Sequence, residues 1–185
     1  MGGKRGLIFG SCPCSSWEFL KPWRQWPDVV IAADGGLALA RAAGFQPAVL
    51  VGDGDSGGRP ETGMVNIPLP AEKDWTDLEA ACEWAVENGA ETLLLTGCSG
   101  GRLDHYLSAL GLLETLALKK VKGILLEPDN RAEVLTPGTW TIEDPGYRYF
   151  SLIPLDARLS DVSISGARYP LEHAGVCRGR SLTVS

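Results

Sequence analysis

Apolar residues in this chain come in two textures. Through about Glu127 they form short continuous runs, Gly6–Gly10, Val29–Ala33, Val49–Val51, Leu93–Thr96 and Ile124–Leu126, the pattern of strands buried on both faces. Between the runs, 36–43, 77–88 and 104–118 carry apolar residues at helical spacing. In the second of these, Leu78, Ala81, Cys82, Ala85 and Val86 share a face, Thr76 with Glu79 makes a capping box, and Asn88-Gly89 supplies a left-handed stop. Strands alternating with helices predict a parallel sheet covered on both faces. From about Asp129 the texture changes to short alternating segments, 140–143, 147–153 and 162–165, cut by Pro, Gly and Asp, which predicts a second, smaller β domain. The expected division is thus 1–128 and 129–185.

Length and composition fit this picture. The chain has 185 residues, 44% of them hydrophobic, enough for a packed core. A formal net charge of -6 disfavours electrostatic capture of nucleic acid or of an anionic membrane, so an anionic small molecule must be met by local basic groups or by a divalent metal. The N-terminal stretch is too short and too polar for a signal peptide or a membrane span, which makes the cytoplasm the expected location. The five cysteines are an odd number and do not read as a disulfide framework; Cys12 and Cys14 read as loop thiols.

In an open parallel sheet, ligands bind beyond the carboxyl ends of the strands. Asp34 follows one apolar run and precedes Gly35-Gly36, while Asp53 and Asp55 follow the next within Gly52-Asp53-Gly54-Asp55-Ser56. Two carboxylates at this spacing lie on one side of an extended backbone, where a shared Mg²⁺ relieves their repulsion; the same residues also make an ordinary turn. Thr76 and Asp77 open a helix whose free amides suit a phosphate, although helix capping alone also accounts for Thr76 and Glu79 and leaves Lys73 and Asp74 unassigned. Gly100-Gly101-Arg102-Leu103-Asp104-His105 follows a buried strand, and Arg102 offers a planar fork for phosphate oxygens. His105 reads either as a substrate contact or as a structural residue. No P-loop lysine motif and no dinucleotide fingerprint is present.

Taken in order, the segments at Asp34, Asp53, Lys73 and Gly100, with 151–155, 166–171 and 181–185, resemble the thiamine pyrophosphokinase family over nearly the whole chain. The resemblance implies an N-terminal α/β domain that binds nucleotide and metal, and a C-terminal β-sandwich domain that binds thiamine and forms a homodimer. It implies transfer of pyrophosphate from ATP to thiamine, giving thiamine diphosphate and AMP. Asp53, Asp55 and Asp77 match the acidic metal positions, with Asp55 or Asp77 as the catalytic carboxylate. Asp34, Thr76, Arg102, Asp104 and His105 fall on the nucleotide side, and Thr183 and Ser185 on the thiamine side. Two departures accompany the match: Gly54 stands where the family has a large apolar residue, and the chain stops at Ser185, short of the family's further strands. A metal-dependent phosphohydrolase and a catalytically silent nucleotide- or thiamine-binding protein are the alternatives.

Overall fold

The computed structural model describes residues 3–54, 61–143 and 146–184. The chain divides into two compact units, 1–140 and 141–185.

In the first unit the apolar runs become strands β1 (Lys4–Phe9), β2 (Val29–Ala33), β3 (Val49–Gly52), β5 (Ala90–Thr96) and β6 (Lys122–Leu126). Two further strands lie at the sheet edges, β4 (Val65–Pro68) and β7 (Arg131–Glu133), giving the order β4-β3-β2-β1-β5-β6-β7. All pairings are parallel except β6 with β7, which a turn reverses where Glu127 N donates to Asn130 O at 2.8 Å. That reversal carries the sheet of the first unit past residue 128, where the sequence places the domain boundary.

Alternation along each strand divides the core. Ile8, Ile31, Val49, Val51, Leu93, Leu95 and Leu125 pack on one face with residues of the helices α2 (Asp77–Glu87) and α3 (Leu103–Leu118). Leu7, Phe9, Leu94, Ile124 and Leu126 face the other way, toward α1 (Gly36–Ala42), Phe45 and the 3-10 turn Glu18–Trp23 with Trp17, Trp23 and Trp26. A strand sandwiched between two such layers has no polar face to show, hence the unbroken apolar runs. The helix ends follow their caps: Thr76 Oγ1 accepts from Glu79 N at 3.1 Å, and Gly89 takes φ +84° after Asn88.

The chain winds outward from β1 through β2 and β3 to β4, and then crosses by α2 to β5 on the other side of β1. The strand order therefore reverses between β1 and β5, and a crevice opens at their carboxyl ends. Close approach fixes this rim. A Cβ on Gly36 would lie 2.1 Å from Phe9 O, so only glycine lets α1 start against the end of β1.

The second unit, as described, holds one antiparallel pair, β8 (Arg158–Ile164) with β9 (Leu171–Cys177), whose register shifts between Leu159 and Val162 and again before Ile164. Of the β-sandwich that the resemblance implies, this pair is the part within the described residues. The segments 140–143 and 147–153 are not strands. Leu152 N donates to Thr183 O at 3.0 Å, a contact distant in sequence that belongs to no strand ladder. No helix among the described residues is long and apolar enough to cross a membrane.

Gly36→Ala is expected to destabilise the fold by about 1–3 kcal/mol through overpacking. Gly111→Ala, inside α3 with open space around it, is expected to stabilise by up to about 1 kcal/mol. Urea unfolding of both variants checks this; equal shifts would refute the close approach at Gly36.

Candidate active site

Two acidic segments meet at the carboxyl edge of the sheet. Asp53 follows β3 directly, Asp77 is the first residue of α2, and Lys73 lies in the connection between β4 and α2. The Lys73 ammonium stands 3.1 Å from Asp77 Oδ1 and 3.5 Å from Asp53 Oδ2, and it also donates to Pro70 O at 3.3 Å. The lysine side chain is only 8% exposed, and those of Asp53 and Asp77 are 15% and 26% exposed. Burial favours the neutral amine, but Asp77 and then Asp53 outweigh it, so the Lys73 pKa lies above the ordinary lysine value. Two carboxylates from different elements thus converge on one cation. Lys73, unassigned in the sequence reading, is their common partner; a lysine four residues before an aspartate at a helix start was the available signal.

Asp34 stands beside this pair. With Leu50, Gly52, Asp53, Gly54, Asn66 and Pro68 it lines a cleft of about 90 Å³. Its backbone lies at φ +46°, a conformation uncommon for a side-chain-bearing residue, and is held by Asp34 N donating to Val51 O at 2.8 Å. Its Oδ1 is buried without a hydrogen-bond partner among the described residues. A buried carboxylate oxygen with nothing to accept from is suited to a cation or a donor supplied by a ligand.

Thr76 spends one lone pair on the helix cap, which leaves its hydroxyl proton free to donate to an anion at the start of α2. Arg102 precedes α3 and is exposed, and its fork is taken by Asp104, with Nε 3.1 Å from Oδ1 and Nη2 2.5 Å from Oδ2. Each holds the other charged: the hydrogen bond raises the Arg102 pKa and lowers that of Asp104. His105 N donates to Asp104 Oδ1 at 3.0 Å, and its side chain is exposed on the first turn of α3. Of the paired glycines, Gly101 makes room for the Cys12 thiol, which a Cβ would approach to 2.9 Å, whereas a Cβ on Gly100, at φ +93°, would make only an ordinary contact with Pro13 O at 3.9 Å.

Glu127 was missed. It follows β6 as Asp34 and Asp53 follow their strands, so the same rule of a polar residue after an apolar run would have found it. It is 1% exposed, and burial pushes its pKa up against the pull of backbone hydrogen bonds. Burial likewise pushes the Cys82 thiol up to about 12 and Cys98 well above its ordinary value, which leaves both inert.

Thr183 is buried in the second unit, where its hydroxyl donates to Leu152 O. Asp55 and Ser185 lie outside the described residues. Among the described residues no group of three or more His, Cys, Asp or Glu side chains is arranged to hold a metal ion. The donors present still suit a hard cation, because Asp34, Asp53 and Asp77 offer only carboxylate oxygens and two of them already share a positive charge.

A family model described as the thiamin pyrophosphokinase catalytic domain matches residues 20–125, and one described as the thiamin pyrophosphokinase vitamin B1 binding domain matches 139–185. The chain is 32% identical over 162 residues to a thiamine pyrophosphokinase of Bacillus subtilis, covering 84% of this chain and 76% of that protein. Among solved structures it resembles thiamine pyrophosphokinase from Bacillus subtilis, with a TM-score of 0.88, 29% identity and coverage of 98% of this chain and 88% of the other. It also resembles the enzyme from Geobacillus thermodenitrificans, with a TM-score of 0.82, 30% identity and coverage of 96% and 85%.

Replacing Lys73 by Met leaves Asp53 and Asp77 without their shared cation, and is expected to cost about 1–3 kcal/mol, below the range for a fully buried pair because both carboxylates are partly exposed. Millimolar Mg²⁺ should then raise the melting temperature of Lys73→Met more than that of the parent. An identical response of the two proteins to Mg²⁺ would show that the carboxylates do not converge on a cation site.

Proposed function

The chain belongs to the thiamine pyrophosphokinase family, and from that premise we propose that it transfers a pyrophosphoryl group from ATP to the hydroxyl of thiamine, giving thiamine diphosphate and AMP. The observation that carries the reading is the meeting of Asp53 and Asp77 on one buried cation, in a chain matched by both the catalytic and the vitamin-binding models.

In this reaction the thiamine hydroxyl oxygen bonds to the β-phosphorus of ATP, the bond from that phosphorus to the oxygen bridging α and β breaks, and AMP leaves with the bridging oxygen. Little covalent chemistry is required of the protein, whose task is to align the reactants and neutralise charge. Asp53, Asp55 and Asp77 would hold Mg²⁺, which when bound offsets the negative charge of the phosphates. Lys73 contributes a fixed positive charge at the same point. Arg102 exchanges Asp104 for a phosphate oxygen, which suits its exposed position and bidentate geometry. The Thr76 hydroxyl and the first amides of α2 donate to another phosphate oxygen. Asp55 or Asp77 takes the proton of the thiamine hydroxyl. Asp34 lines the nucleotide cleft, with Asp104 and His105 at its α3 side. The 141–185 unit supplies the thiamine side and the contact for a homodimer, with Thr183 and Ser185 at its end.

Incubation with thiamine, ATP and Mg²⁺ tests this reading: AMP is expected only when thiamine is present, in equal amount to thiamine diphosphate. Phosphate release without thiamine would identify a phosphohydrolase, and binding without turnover a silent binding protein. Asp55→Asn is expected to lower turnover on the order of 100-fold, and undiminished activity across a Mg²⁺ titration would remove Asp55 from the metal site. Arg102→Ala is expected to weaken ATP binding about tenfold, roughly 1.4 kcal/mol, with little effect on thiamine; equal losses for both ligands would refute its placement.

A further inference from the structure

Glu127 is a buried carboxylate for which the proposed chemistry has no use. Its Oε1 accepts from two successive backbone amides, Cys98 N at 2.7 Å and Ser99 N at 3.2 Å, while Oε2 is buried with no hydrogen-bond partner among the described residues. Strands β5 and β6 are neighbours, in register from Thr92↔Lys122 to Leu95↔Leu125, so the carboxylate reaches across from the end of one to the loop that leaves the other. On its opposite side the same loop is tied to the segment after β1, where Gly10 N donates to Thr96 O and Cys12 N to Gly97 O, each at 2.8 Å. The connection from β5 to α3 is therefore clamped from both flanks at 96–99, and Gly100, Gly101 and Arg102 project from the clamped part.

Burying a carboxylate is unfavourable, and a neutral acceptor would satisfy two amides at lower cost. What the charge adds is strength, since hydrogen bonds to an ionised acceptor are about twice as strong as neutral ones. Two successive amides of this kind form a concave anion site. Here an internal anion fills it, which closes Cys98 and Ser99 to a phosphate and leaves the later part of the loop to meet one.

We propose that Glu127 is a positioning residue for the nucleotide, whose carboxylate occupies the Cys98 and Ser99 amides and so holds Gly100 to Arg102 where the ATP phosphates bind. The proposal rests on the functional reading above.

Calorimetric titration with α,β-methylene-ATP, in which the bond to be cleaved is replaced, reads binding without turnover. Glu127→Ala is expected to raise its Kd at least about tenfold and to raise KM for ATP in parallel, while thiamine affinity and kcat stay within about twofold. Glu127→Gln, which keeps an accepting oxygen at the same reach but not the charge, is expected to recover part of the loss, with a Kd between those of the parent and the alanine variant. If the alanine variant does not fold, Glu127→Met fills the space without an acceptor and is expected to show the same loss. A Kd within twofold of the parent in the variants that lack an acceptor, however much their melting temperatures fall, would reduce Glu127 to a structural residue and overturn the proposal. Tighter binding in the variants would also overturn it, by showing that the carboxylate only repels the phosphates. A parent chain that fails to bind the analogue counts against Glu127, whereas one that binds it but forms no thiamine diphosphate overturns the functional reading alone.

Discussion

The site depends on one balance of charge: a single ammonium, that of Lys73, between the carboxylates of Asp53 and Asp77. Those carboxylates come from the end of β3, next to the sheet edge, and from the start of the crossover helix, elements that meet only once the sheet is assembled. Brought together without a cation they would repel at short range in a partly desolvated place. Lys73 removes that penalty, and the cost of burying the lysine is in turn offset by its two partners. A site organised in this way is prepared for more positive charge and for the phosphates that would accompany it.

The frame that delivers these groups is set by burial on both faces of the sheet and by close backbone approach at its carboxyl edge. Gly36 lets α1 begin against Phe9, and the loop after β5 is stitched to the ends of β1 and β6. Because the strand order reverses between β1 and β5, that stitched loop lies on the crevice where ligands bind in such sheets. At Asp34, with φ +46° and a buried unpartnered oxygen, backbone strain and an unmet hydrogen-bonding atom coincide. Both features lie where the chemistry is proposed, and the core behind them is conventionally apolar.

Much of this was legible in the residues. Val29–Ala33 and Leu93–Thr96 could be read as strands because both their faces are covered, and α2 because its cap, apolar stripe and glycine stop agree. The edge strands were not legible: β4 is short, exposed at Val65 and closed by Pro68, and β7 is three residues with no apolar run. In the second unit, alternation over 147–153 pointed to a strand, but Leu152 bonds to Thr183 instead, and the β9 pairing at Leu171–Cys177 carries too weak a pattern to be read. The aspartates could be named from their places after apolar runs. What they touch could not, since Lys73 meets Asp53 only through the fold and Glu127 reaches Cys98 only because β5 and β6 are neighbours.

The central question is whether the Asp53–Asp77 pair holds a divalent ion with nucleotide. Titration of Mn²⁺ followed by electron paramagnetic resonance, in the presence of α,β-methylene-ATP, measures this directly in the parent chain and in Asp53→Asn. Tight binding of Mn²⁺ by the parent with nucleotide is expected, with a loss of at least about tenfold in affinity in the variant. Equal Mn²⁺ affinity in the two proteins would contradict that expectation.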